Sequence, residues 1–183
     1  RNFGHLKGVE TVKKIVKASI KAKIPIISFY VFSSENWKRP KNERSYLFTL
    51  IKSYFLKKIE SIVNQGIRIN ILGEFNKFSA DLKQILKKKI KLTKNNKRII
   101  VNLAINYGSK FEIFQALKKS QGKLNMKNFE KNLYTKNMPN PDILIRTGGY
   151  QRLSNFLLWQ LAYTELFFLK KLWPDFNSID LSK

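Results

Sequence analysis

The chain has 183 residues, 43% hydrophobic and 13% aromatic, with a formal net charge of +24 and no cysteine. That length supports one globular core, the missing cysteines exclude disulfides and thiolate metal sites, and no apolar run approaches the roughly 18 residues of a membrane span. A charge this high invites a nucleic-acid or anionic-surface reading, but lysine carries most of it, and arginine, the better fork for phosphate, is scarce enough that each one's position is informative.

Along the chain, Lys7 to Lys23 places Val9, Val12, Ile15, Val16, Ser19 and Ile20 at helical spacing, and Pro25 breaks the pattern. Ile26 to Phe32 (IISFYVF) is a continuous apolar, β-rich run, expected of a strand buried on both faces. The polar loop SSENWKRP follows. Pro40 suits the first turn of a helix that runs to about Asn64 and turns Leu47, Leu50, Ile51, Tyr54, Phe55, Ile59 and Ile62 inward, with Gly66 at its stop. Ile67 to Leu72 is a second strand. Ser79 to Thr93 is a basic helix whose Lys87, Lys88, Lys89 and Lys91 are expected on a solvated face. Arg98 to Asn106 is a third strand, Ser109 to Ser120 a further helix, and Lys123 to Asn137 a short helix with loops. Asp142 to Thr147 and Glu165 to Leu169 complete the strands. The alternation predicts a single α/β domain over residues 1–183, with a mostly parallel central sheet flanked by helices.

In such sheets ligands bind beyond the carboxyl ends of the strands. Polar clusters stand at four of those ends: Ser33 to Asn36, Gly73-Glu74, Asn106 to Gly108, and Arg146 to Gly149. The last opens the stretch IRTGGYQRLSNFLLWQ, which sets two arginines around a glycine pair, between the fourth strand and an apolar run expected to start a buried helix. Arg146, Arg152, Ser154 and the glycine amides form a plausible anion cradle, suited to a diphosphate; the competing reading is a glycine turn with two surface arginines. In SSENWKRP, Ser33, Asn36 and Arg39 offer donors and Trp37 a flat apolar face, or the segment is an ordinary helix entry. His5 is the single histidine and cannot by itself make a zinc site; Glu165 is a candidate carboxylate for a hard cation. The apolar surplus around Leu47, Leu50, Ile51 and Tyr54 is either plain core or the lining of a hydrocarbon pocket.

Taken together, RNFGH, FSSENWKRPKNE, NYGSKFEI, PDILIRTGGYQRLSNFLLWQLAYTELFF and LWPDF resemble the cis-prenyltransferases of the undecaprenyl diphosphate synthase type, in order and over essentially the whole chain. The resemblance implies a homodimeric α/β enzyme. It would condense isopentenyl diphosphate onto an allylic diphosphate, usually farnesyl diphosphate, with Mg2+ as cofactor, to make the polyprenyl carrier of cell-wall synthesis. By the same resemblance Arg146, Arg152 and Ser154 hold isopentenyl diphosphate, and Arg1 contacts the allylic diphosphate. His5 lies near that diphosphate. Ser33, Trp37 and Arg39 belong to a loop that closes over substrate, where Asn36 assists proton removal, and Glu43 opens the helix that lines the product tunnel. Leu47, Leu50 and Ile51 match tunnel positions, and Glu165 matches a glutamate linked to Mg2+ near the dimer interface. The implied location is cytoplasmic, with contact at the inner face of the membrane.

The sequence departs from that family at its ends and inside. A segment of the form MDGNGRWA, with its Mg2+-binding aspartate, and the C-terminal end of the family pattern are not in the sequence; a chain beginning at Arg1 is expected to be inactive. Tyr150 stands where the family usually has glutamate, and Val31 where a smaller alanine is common. Two competing readings follow: a non-catalytic homologue acting as a dimer partner, and a basic nucleic-acid-binding module. The second ranks last, because the arginines gather around a glycine turn and no nucleic acid is expected as a partner.

Overall fold

The computed structural model describes residues 2–120, 122 and 124–182, and the side chains of all of these except 2, 3, 55 and 57–60; Arg1, expected at the allylic diphosphate, lies outside the described residues. The elements run α1 (Asn2–Lys21), β1 (Ile26–Ser33), a short 3-10 helix (Ser34–Lys38), α2 (Lys41–Asn64), β2 (Ile67–Leu72), α3 (Ala80–Thr93), β3 (Ile99–Tyr107), α4 (Ser109–Lys119), α5 (Met126–Glu130), β4 (Ile143–Arg146), β5 (Glu165–Phe168), a second 3-10 turn (Trp173–Asp175) and α6 (Ser178–Ser182).

The strands are parallel, and helices join β1 through β4, the α/β class expected from the alternation. In detail they divide into a three-stranded sheet of order β1-β3-β2 and a two-stranded sheet of β4 and β5. β3 is central, and its residues alternate between two clusters until Asn106, whose φ of 52° breaks the alternation before Tyr107. Val101, Leu103 and Ile105 enter a core with Phe29, Phe32, Leu47, Ile51, Ile69, Leu82 and Leu86, while Ala104 and Tyr107 face Leu72, Phe156, Leu157 and Leu161. Each fully buried aliphatic side chain of this kind contributes about 1.5–3 kcal/mol.

Three expectations change in the structure. β1 is an edge of its sheet, so of its residues only Phe29 and Phe32 are buried, rather than both faces. Its pairing with β3 skips Val31, because Tyr30 faces Ala104 and Phe32 faces Ile105; this bulge lets Phe29 and Phe32, three positions apart, enter the same core. Lys89 is buried, not solvated: it follows Leu82 and Leu86 on the inward face of α3, where a lysine stem can lie along apolar surface. Finally, α1 begins at Asn2 and runs through Gly4 and Gly8. Gly8 faces Trp173, whose Nε1 donates to the Gly8 carbonyl at 3.1 Å, and a Cβ there would meet the indole at 3.3 Å. Packing against a residue far along the chain stabilises a helical turn that glycine propensity disfavours.

Candidate active site

The segments that follow β1 and β3 converge on one asparagine. Asn155 Nδ2 donates to Glu35 Oε1 at 2.7 Å, and its Oδ1 and carbonyl accept from the amides of Lys110 and Ser109, both at 2.8 Å. Gly108 allows this approach: a Cβ there would stand 2.5 Å from Ser34 Oγ and 2.8 Å from Asn155 Nδ2. The Tyr30 hydroxyl adds a further tie, shared between the carbonyls of Tyr107 and Ser154 at 3.3 Å, with its ring stacked on Phe156 at 4.5 Å. Sequence reasoning missed Asn155 and Tyr30. Asn155 sits inside the singled-out stretch, and the signal was its position one residue after Ser154.

Beside this junction lies the arginine group. Arg146 ends β4, and its Nη1 donates to Ser154 Oγ at 2.8 Å and to the Arg152 carbonyl. The Tyr150 ring lies against both guanidinium groups. Burial, and then the charge of Arg152, lower the pKa of Arg146. The structure therefore brings Arg146, Arg152 and Ser154 together as expected from the sequence. It corrects the part assigned to the glycine amides. Gly148 N donates to the Lys171 carbonyl and Gly149 N to the Leu169 carbonyl, both at 2.9 Å, so these amides tie the glycine turn to the segment after β5 and do not face an anion. The glycines are needed for that turn, with φ of 92° and 79°. The segment after Arg152 is also not a helix. Residues 154, 155 and 157 have φ of 50°, 63° and 44°, an uncommon left-handed conformation for non-glycine residues. Phe156 and Leu157 reach the core through this irregular path.

The SSENWKRP loop joins the arginine group to a second polar cluster. Asn36 Oδ1 accepts from the Ser33 amide at 3.1 Å. Trp37 is anchored: its Nε1 donates to Asn106 Oδ1 at 2.6 Å, its ring packs edge-on to Phe32, and the charges of Arg44 and Lys77 each lie 5.4 Å from its ring. Arg39 donates to Glu43 Oε1 at 2.8 Å, and His5 Nε2 stands 3.6 Å from the same oxygen. These residues border an open cleft of about 580 Å3, lined by Gly4, His5, Arg39, Pro40, Glu43, Trp173 and Pro174. Glu35, tied to Asn155, and Arg39, tied to Glu43, are therefore separated by a single short 3-10 helix, a span of about 8 Å. Of the tunnel candidates, Leu47 and Ile51 are buried in the core and Leu50 is half-buried.

Glu165 is not gathered into either cluster by its strand. It opens β5 opposite Ile143, whereas Arg146 pairs with Phe168, three register positions on, about 10 Å along a strand. Among the described residues no three His, Asp or Glu side chains converge on a metal position. A magnesium ion takes oxygen ligands and uses one or two carboxylates plus phosphate oxygens, so the donor set that would fit here is a single carboxylate together with a substrate diphosphate.

The family profile for undecaprenyl diphosphate synthase prenyltransferases matches residues 1–183. The chain is 42% identical over its whole length to the farnesyl-diphosphate-specific ditrans,polycis-undecaprenyl-diphosphate synthase of Pasteurella multocida, covering 80% of that protein. It is 40% identical to the isoprenyl transferase of Oceanobacillus iheyensis, over 97% of this chain and 74% of the relative. Two solved structures superpose on it. A probable undecaprenyl diphosphate synthase from Campylobacter jejuni gives a TM-score of 0.87 at 32% identity, with 96% of this chain and 85% of that one covered. Lavandulyl diphosphate synthase from Lavandula x intermedia, in complex with dimethylallyl diphosphate, gives 0.93 at 30%, with 99% and 83% covered. With two arginines and a serine gathered at a parallel strand's end, and a full-length match at this identity, the chain belongs to the prenyltransferase family of undecaprenyl diphosphate synthases.

Proposed function

We propose that the protein is a cis-prenyltransferase that condenses isopentenyl diphosphate repeatedly onto an allylic diphosphate, farnesyl diphosphate, to make the undecaprenyl diphosphate carrier of cell-wall synthesis. The observation that carries this reading is the group formed by Arg146, Arg152 and Ser154 at the end of β4, where two guanidinium charges converge. Such a group suits a diphosphate, and each charge-assisted hydrogen bond to it contributes about 1.5–3 kcal/mol.

In the reaction the allylic C–O bond breaks and the diphosphate leaves with the electron pair. The alkene of isopentenyl diphosphate attacks the allylic carbon, and the adduct passes a proton to an oxygen of the released diphosphate, which completes the new double bond. The β4 arginines hold the isopentenyl diphosphate so that its alkene faces the allylic carbon, a proximity effect. The allylic diphosphate is assigned to the cleft of His5, Arg39 and Glu43; cationic donors there stabilise the departing charge. Ser33, Asn36 and Trp37 lie on the segment linking the two positions, and Asn36 is assigned the assistance to proton removal. The growing chain is assigned to the apolar side of α2, past Leu47, Leu50 and Ile51.

Mg2+ is the expected cofactor, and when bound it supplies charge to the departing diphosphate. Among the described residues no acid cluster is present, and Glu165 is the candidate protein ligand that would hold the ion together with the substrate. A homodimer is the expected assembly, supported by the exposed Tyr163, Leu166 and Phe167 on and beside β5. Such a patch is typical of an association surface. Cytoplasmic residence, with contact at the inner membrane face, accords with a lipid product and a basic surface; among the described residues no helix is long and apolar enough to cross a membrane.

The test is incubation of the protein with Mg2+, farnesyl diphosphate and labelled isopentenyl diphosphate. Labelled long-chain product is expected. Its absence under all conditions, with isopentenyl diphosphate still bound, would replace the catalytic reading with that of a non-catalytic dimer partner.

A further inference from the structure

Tyr150 touches both arginines of the β4 group. Its ring centroid is 4.5 Å from Arg152 Cζ and 5.9 Å from Arg146 Cζ. The side chain is 57% exposed, so packing in the core does not account for an aromatic residue at this position. Its backbone follows Gly148 and Gly149, whose amides are tied to the carbonyls of Lys171 and Leu169, so the ring is carried on backbone anchored to the segment after β5. Among the described residues, neither Arg146 nor Arg152 has a carboxylate within ion-pair distance.

Two guanidinium groups brought this close repel each other. A carboxylate between them would relieve the repulsion but would also neutralise charge. An aromatic face attracts a cation through its quadrupole and leaves the charge in place. We propose that Tyr150 is a positioning residue, whose single ring holds Arg146 and Arg152 as a pair with both charges left for a diphosphate. The proposal rests on the reading of this group as a diphosphate site.

Calorimetric titration with inorganic pyrophosphate tests it, on the wild-type chain and the variants Tyr150→Phe, Tyr150→Leu and Arg146→Ala. Tyr150→Phe keeps the ring and is expected to bind within about twofold of wild type, whereas Tyr150→Leu is expected to weaken binding about three- to fivefold. A Tyr150→Leu affinity equal to wild type, or a Tyr150→Phe affinity as weak as Tyr150→Leu, overturns the proposal, while a loss in Arg146→Ala would still support the site. Binding that ignores Arg146→Ala, or no pyrophosphate binding by the wild type, overturns both. Should Tyr150→Leu lower the melting temperature, Tyr150→Trp against Tyr150→Gln makes the same comparison of ring with no ring.

Discussion

Asn155 and Glu35 stand 120 positions apart in the chain and are joined by a 2.7 Å hydrogen bond. Because the Asn155 side chain also accepts from Lys110 and its carbonyl from Ser109, one residue ties the segment after β1 to the segment after β3. Its φ of 63° is a conformation asparagine adopts more readily than most residues, which suits it to this junction.

Asn155→Ala removes both side-chain bonds and is expected to cost about 1–3 kcal/mol. Hydrogen exchange at Glu35 to Lys38 should rise more than exchange in β3. Uniform acceleration across the chain would mean that Asn155 acts on global stability and not on the loop.

Glu35 predicts a pH dependence. Burial pushes its carboxyl up, but hydrogen bonds from Asn155, its own backbone, Ser33 and Ser34 outweigh this and hold it below the ordinary value. The folded pKa is thus below the unfolded one, so its stabilisation is fully present above about pH 4.3 and is lost as pH falls through the lower folded value. The stability difference between wild type and Glu35→Gln should shrink on acidification in that window. A difference that is flat or grows would refute the assignment.

Arg146→Ala is expected to weaken isopentenyl diphosphate binding by about ten- to a hundredfold, the loss of one or two charge-assisted hydrogen bonds. The unfolding midpoint should change little, since Arg146 is only partly buried. Equal losses in binding and stability would make the arginine a structural residue.

Gly108→Ala should be harmful for a steric reason, because its Cβ would approach Ser34 Oγ at 2.5 Å. A cost of about 1–3 kcal/mol is expected from such overpacking, read as a lower urea midpoint. Gly148→Ala meets no atom within 4 Å, so its cost comes from the left-handed φ alone, about 1–2 kcal/mol.

Phe167→Asp tests the assembly. Phe167 is 49% exposed on β5, and a charge in an apolar interface is costly. Sedimentation should show a dimer for the wild type and a shift to monomer for the variant. A wild-type monomer at micromolar concentration would remove the dimer reading.

Much of the fold was legible because local pattern and tertiary environment agree. α2 and β2 lie where their periodicity and stop residues put them, and β3 reads as a buried strand and is one. The divergences have distant causes. The first turns of α1 contain two glycines, and the contact that supports Gly8 comes from Trp173. The apolar run after Ser154 suggested a helix, but its left-handed residues are stabilised by partners on β1 and α4. Arg146, Arg152 and Ser154 were readable as a group because they lie within nine residues of sequence. The acceptors that engage the Gly148 and Gly149 amides belong to the far side of β5, which no spacing within the motif could reveal.

The unpaired residue in β1 makes the chain one residue longer than its pairing requires. Strand side chains alternate with a period of two, so Phe29 and Phe32 share a face only because Val31 stands outside the register. Removing Val31 would set Phe32 two positions after Phe29 and still opposite Ile105, where regular alternation keeps it in the core. A one-residue deletion at 31 is thus expected to be better tolerated than a deletion at Ser28, which would shift the phase between Phe29 and the strand's start. Residue 31 is the place where this strand can change length without turning a side chain out of the core.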